Sequence, residues 1–144
     1  MLSVRLVILL VGMWVALSLS GSLRAAAPTA AERIEQGEYL VLHVAMCVQC
    51  HTPRDQQGRL DETQLLQGAP MPVESPFPSS PWAFRAPTLA GLPGWSDEDA
   101  IMLLQTGKRP DGRSPSPPMP PFRFTPEDAS AIVAYLRSLP PAPR

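Results

Sequence analysis

Both cysteines and one histidine of the 144-residue chain fall in a single pentad, Cys47-Val48-Gln49-Cys50-His51. Two thiols three residues apart on a helical turn lie to one side. They can add across the vinyl groups of a haem to give thioethers, and the adjacent imidazole then reaches the iron as proximal ligand. With two Cys and two His in the chain, such a pentad arises by chance on the order of two times in ten thousand. Two rival chemistries use the same residues. A Cys-x-x-Cys oxidoreductase would follow a strand in a βαβ unit, and no strand-rich pattern is present. A zinc site needs four soft ligands, and His43, the other histidine, stands at the wrong spacing for Cys2His2.

A haem iron held by His51 has a sixth position to fill. A thioether there favours a high potential and electron transfer, whereas a second imidazole lowers the potential. Beyond the N-terminal apolar run the candidates are Met46, Met71, Met102, Met119 and His43. Met46 adjoins the pentad and cannot reach the opposite haem face. Met102 lies in a helix with its own inward face, which suits core packing. His43 sits one helical turn before Cys47, on the surface. Met71, between Pro70 and Pro72, stays open. Met119 is the favoured ligand. It lies in Pro117-Pro118-Met119-Pro120-Pro121-Phe122, where prolines are expected to hold the backbone extended at low entropic cost.

The elements that must position these groups read as an all-α fold of three to four short helices and proline-rich loops. Residues 32–47 read as the first helix, with Ile34, Gly37, Val41 and Val44 on one apolar face and early glutamates suited to the helix dipole. Residues 52–86 carry six prolines between Pro53 and Pro81, with at most a weak turn near residues 61–66. A stretch this long and irregular within a compact domain is usually functional. Leu65, Leu66, Phe77, Trp82 and Phe84 make it too apolar for a linker, so it is expected to wrap a large flat cofactor. Ser96 caps a second helix that Gly107 ends, with Ala100, Ile101 and Leu104 inward. Thr125 and Pro126 open a third, with Ala129, Ile132, Val133 and Leu136 inward and Pro140-Pro141 beyond its end. Three short helices make a thin core, so a buried cofactor is expected to supply missing apolar contact.

Length suits one domain. Net charge is −1, and without Arg5 and Arg24 the 12 cations fall to 10 against 13 acids, about −3. Nothing points to a nucleic-acid partner. Residues 6–23 hold no charge. Residues 1–24 therefore read as a signal peptide or an N-terminal membrane anchor, either of which exports the remainder. Residues 25–31 read as a tether, and residues 32–144 as the haem domain.

Several stretches taken together resemble class I cytochromes c, in particular the exported, membrane-associated monohaem proteins that serve periplasmic dehydrogenases. The matching residues are Gly37-Glu38-Tyr39-Leu40, the pentad with Thr52-Pro53-Arg54, Gly94-Trp95-Ser96-Asp97-Glu98-Asp99, and the run from Thr106 through Gly112 and Arg113 into Met119-Pro120-Pro121. The ending Ala131-Ile132-Val133-Ala134-Tyr135-Leu136-Arg137-Ser138-Leu139 resembles the family's last helix. The resemblance covers nearly everything from Gly37 to Pro141. It implies the cytochrome c fold around one haem c, bound covalently through Cys47 and Cys50, with His51 and Met119 on the iron. It implies that the first and last helices cross at Gly37, where the missing side chain admits Tyr135. It also implies that the Pro87 carbonyl accepts from the proximal imidazole and that Leu89 touches the haem. Trp95, Arg109 and Arg113 become candidates for the propionates, since arginine suits a carboxylate. One departure stands out: relatives commonly have Pro-Asn-Leu where this chain has Pro87-Thr88-Leu89.

Three functions compete. An electron carrier would take one electron from a periplasmic dehydrogenase and pass it to a respiratory oxidase or another cytochrome, free or membrane-tethered through residues 6–23. The chain has no room for a second active site, so dehydrogenase chemistry would lie on another chain. A ligand-binding sensor or peroxidatic haem enzyme would need an open or displaceable sixth position. Thiol–disulfide exchange would leave free thiols and no covalent haem.

Overall fold

A computed structural model describes residues 27–77 and 79–141. The leader reading of residues 1–24 lies outside the described residues. Among those described, no helix is long and apolar enough to cross a membrane. Helix α1 spans Ala30–Tyr39, α2 Val48–His51, α3 Asp97–Thr106 and α4 Pro126–Ser138, with a 3-10 turn at Glu62–Gln64. Strands β1 (Ala69–Pro70) and β2 (Arg85–Ala86) pair antiparallel, Ala69 opposite Ala86. Among the described residues the fold is all-α, as expected, apart from this two-residue ladder and an isolated bridge between Arg54 and Leu60.

Helix α1 starts two residues before the expected position because Thr29 caps it. The Glu32 N–H donates to Thr29 Oγ1 at 3.2 Å, and the Thr29 N–H donates to Glu32 Oε2 at 2.7 Å. This reciprocal pair is a capping box, so Ala30 and Ala31 belong to the helix and not to a tether. The helix does not run unbroken to Cys47. It widens into a π turn at Leu40–Val44, closed by the Ala45 N–H on the Leu40 carbonyl at 2.8 Å. Met46 then turns left-handed (φ 54°), and the Cys47 N–H returns to the Val41 carbonyl at 3.0 Å. The extra residue in the wide turn rotates the apolar stripe. Val41 stays fully buried, whereas Val44, expected inward, is 51% exposed.

Gly37 allows α1 and α4 to cross. A Cβ built there would meet the Ala131 carbonyl oxygen, the Ala131 carbonyl carbon at 2.6 Å and Tyr135 Cβ at 2.8 Å. The expected role therefore holds, with the Ala131 backbone rather than the Tyr135 ring as the nearest neighbour. The inner face of α4 is as expected: Ala129, Ile132, Val133 and Leu136 are all buried. Burying each of the three larger side chains contributes roughly 1.5–3 kcal/mol. Ser96 Oγ caps α3 by accepting from the Asp99 N–H, and Gly107 (φ 66°) ends it with its N–H on the Leu103 carbonyl at 2.8 Å.

Residues 52–86 divide into two parts. Leu66 is fully buried and Leu65 packs against the core, but Phe77 and Phe84 are 65% and 90% exposed. The expectation that all these apolar residues wrap inward is thus corrected. Trp82 donates its indole N–H to the Val73 carbonyl at 3.0 Å, which braces the outer loop on itself and leaves the two phenyl rings at the surface.

Candidate functional site

A cavity of about 370 Å³ lies between the attachment segment, the Pro87-Thr88-Leu89 segment, α3, α4 and the Met119 loop. Its lower wall is the protein's own core: Leu92, Ala100, Ile132, Val133 and Leu136 belong both to the core and to the lining. The thin core expected from the sequence is therefore completed around a space of the size and apolar character that holds small molecules and cofactors.

Helix α2 puts Cys47, Cys50 and His51 on that cavity. The His51 N–H bonds the Cys47 carbonyl at 2.9 Å, which winds the pentad into the single turn that its spacing requires. His51 is 7% exposed. Its Nδ1 lies 2.7 Å from the Pro87 carbonyl. A carbonyl only accepts, so Nδ1 carries a proton, and in the neutral ring Nε2 then keeps its lone pair. Burial lowers the His51 pKa, with the Pro87 carbonyl pulling the other way. The bond orients the ring, and burial favours its neutral form. Burial pushes the Cys47 thiol up to about 11. Thiol–disulfide exchange needs a thiolate near neutral pH, so this environment disfavours the oxidoreductase chemistry.

Of the other residues singled out from the sequence, Pro87, Leu89, Trp95, Arg109 and Met119 all line the cavity. Arg113 does not: its guanidinium holds Asp111 at 2.7 Å and is 79% exposed. That pairing raises the Arg113 pKa and lowers that of Asp111. Met71 and Met46 also reach the lining, whereas Met102 does not, and His43 is at the surface beside Tyr39. Backbone bonds anchor the Met119 loop, with the Ala83 N–H on the Pro117 carbonyl at 2.8 Å. The backbone turns at Pro117 and Pro118, joined by a cis peptide bond, and bends at Met119. The extended course expected there is corrected: proline fixes φ near −65°, which serves turns as well as extended chain.

Arg137, which the resemblance places only as part of the last helix, makes contacts that the sequence does not announce. Its guanidinium donates to the carbonyls of Gly91 (2.7 Å), Leu92 (3.2 Å) and Trp95 (2.6 Å) and to Asp97 Oδ1 (2.7 Å). It ties the end of α4 to the loop that carries Trp95 to the cavity. Three of the four acceptors are backbone carbonyls more than 40 residues away, so no local spacing signals them.

The residues fit a haem. Two thiols, the His51 imidazole, two arginines (Arg85 and Arg109) and the thioethers of Met46, Met71 and Met119 converge on an apolar cavity walled by the core. Comparison with known proteins agrees. The Cytochrome c family model matches residues 34–140. The chain is 34% identical over 115 residues to the fructose dehydrogenase cytochrome subunit of Gluconobacter japonicus, covering 73% of this chain and 22% of that protein. It is 32% identical over 128 residues to the cytochrome c subunit of alcohol dehydrogenase (quinone) of Gluconacetobacter polyoxogenes, covering 81% and 26%. A diheme cytochrome c-type protein of Cereibacter sphaeroides is 34% identical over 112 residues, covering 74% and 35%. The chain spans between about a fifth and a third of the length of these relatives. With a family model matched over most of its length and the attachment pentad on an apolar cavity, the chain belongs to the cytochrome c family.

Proposed function

We propose that the chain is a one-electron carrier: Cys47 and Cys50 would hold one haem c covalently, His51 Nε2 and Met119 Sδ would ligate its iron, and the bound group would supply a reversible Fe(III)/Fe(II) couple. The observation that carries this reading is the 2.7 Å His51–Pro87 bond on a cavity that Cys47, Cys50 and Met119 also line. The residues have separate tasks. The two thioethers fix the ring plane, and the Pro87 carbonyl fixes the imidazole. The core face of α4 excludes water, which keeps reorganisation small when charge changes. Arg109, on the lining, is placed to hold a propionate, and Trp95 and Leu89 pack the haem edge. Arg113, engaged with Asp111, has that role only if it changes partner.

The donor is a periplasmic dehydrogenase, supported by relatives named as cytochrome subunits of fructose and alcohol dehydrogenases. The acceptor is a respiratory oxidase or another cytochrome. The chain itself performs no substrate chemistry. Its charge-free residues 6–23 export it, and the haem domain works on the periplasmic side, free or tethered to the membrane. The test is carbon monoxide added to the reduced native protein. A six-coordinate carrier shows no spectral change; rapid binding would favour a sensor or peroxidatic enzyme instead.

A further inference from the structure

The His51–Pro87 hydrogen bond joins segments 36 residues apart. The turn at residues 66–68 lies between them and bonds to both. Towards the attachment helix, the Leu66 N–H donates to the buried Thr52 Oγ1 at 2.9 Å, and the Gly68 N–H donates to the His51 carbonyl at 2.8 Å. Towards the Pro87-Thr88-Leu89 segment, Thr88 Oγ1 donates to the Gln67 carbonyl at 2.8 Å. The N–H groups of Leu89 and Ala90 both donate to the Leu66 carbonyl, at 2.9 and 3.2 Å. Leu66 is fully buried and holds a left-handed backbone (φ 59°), a conformation that a branched side chain adopts only under constraint. Gly68 is close-packed on the same segment: a Cβ there would lie 2.9 Å from the Thr88 nitrogen and 3.0 Å from the Pro87 carbonyl carbon.

We infer that Thr88, acting with Thr52 through the turn at residues 66–68, is a positioning residue that sets the His51–Pro87 hydrogen bond and so the donor strength of His51 toward iron. The inference rests on His51 being the proximal ligand. A shorter Nδ1–H···O=C bond gives the ring more imidazolate character and favours the ferric state, and a looser one favours the ferrous state. Thr88 stands where the resemblance leads one to expect asparagine. Its hydroxyl is the only side-chain bond among the described residues from the Pro87-Thr88-Leu89 segment to the turn. Removing it leaves the Gln67 carbonyl without that donor and lets the Pro87 carbonyl drift from His51.

The test is a spectroelectrochemical titration of the haem-loaded protein and its Thr88→Val, Thr88→Ala, Thr88→Ser and Thr52→Val variants. Thr88→Val and Thr88→Ala should raise the ferrous-to-ferric ratio about threefold at a fixed potential, a modest effect for a group one step behind a ligand's own partner. Thr88→Ser should restore the wild-type ratio, and Thr52→Val should move it in the same direction as Thr88→Val. Wild-type ratios in both hydroxyl-lacking Thr88 variants overturn the inference, even if those proteins are less stable. So does failure of both to load haem while Thr88→Ser loads, which would make the role structural only. A wild-type protein whose spectrum lacks histidine-ligated, low-spin iron would instead sink the ligand reading beneath it.

Discussion

Alanine at position 37 should destabilise the protein although it is the better helix former. Helix propensity favours alanine over glycine by about 1 kcal/mol. Against this stands the crossing with α4. The new methyl group would meet the Ala131 carbonyl group, with its carbon 2.6 Å away, and Tyr135 Cβ at 2.8 Å. None of these atoms can rotate aside, because two are backbone and the third is fixed to it. Overpacking costs about 1–3 kcal/mol where neighbours can shift, and an immovable neighbour belongs at the upper end. The net loss is therefore about 2 kcal/mol, or about 10 °C in Tm for a domain of this size. Thermal and urea unfolding of haem-loaded Gly37→Ala, followed by far-UV circular dichroism, measures it. Glu35→Ala, at an exposed position of the same helix, is the control and should stay within about 0.5 kcal/mol. A Gly37→Ala protein as stable as the wild type would show that the crossing has slack, and would refute the close-approach argument.

Two further outcomes separate strong contacts from weak ones. Arg137→Ala should cost about 2 kcal/mol in urea unfolding, because three backbone carbonyls lose a charged donor. Asp97→Ala, which removes only the exposed ion pair with Arg137, should cost less than about 1 kcal/mol. Glu32→Gln tests the capping box by pH. The backbone and side-chain bonds from Thr29 lower the folded Glu32 pKa. Its stabilisation is then complete above the ordinary glutamate value of about 4.3 and fades as the pH falls through the lowered folded value. The stability gap between wild type and Glu32→Gln should be present at pH 7 and close toward pH 3. A gap that widens in acid contradicts this assignment.

The attachment chemistry was legible because it is local: three residues in five positions, wound into one turn by a backbone bond inside the pentad. Helices α3 and α4 were legible for the same reason. Ser96, Gly107, Thr125 and Pro126 act within a few residues of themselves. The Thr29-x-x-Glu32 box carries an equally local signal and marks the true start of α1. The π turn does not, because Leu40, Val41 and Leu42 read as ordinary helix. Only the need to bury Val41 while delivering Cys47 to the cavity selects the wider turn, and Val44 leaves the core as a result. Resemblance supplied what locality could not, namely Pro87 on His51, and it also supplied Arg113, which the structure engages with Asp111 instead. The Thr52, Thr88 and Arg137 contacts were illegible by either route. Each ends on the backbone of a distant segment, and a backbone N–H or carbonyl leaves no mark in residue type. The exposed Phe77 and Phe84 show the converse, since an apolar residue type did not imply burial in a loop braced by its own Trp82.

The central claim is a six-coordinate iron with Met119 as the sixth ligand. Met71 lines the same cavity, so the measurement must distinguish the two thioethers. The ferric protein should show the sulfur-to-iron charge-transfer band, and Met71→Ala should keep it. Met119→Ala should lose the band and gain carbon-monoxide binding in the ferrous state. Persistence of the band in Met119→Ala, or its loss in Met71→Ala, would contradict the account.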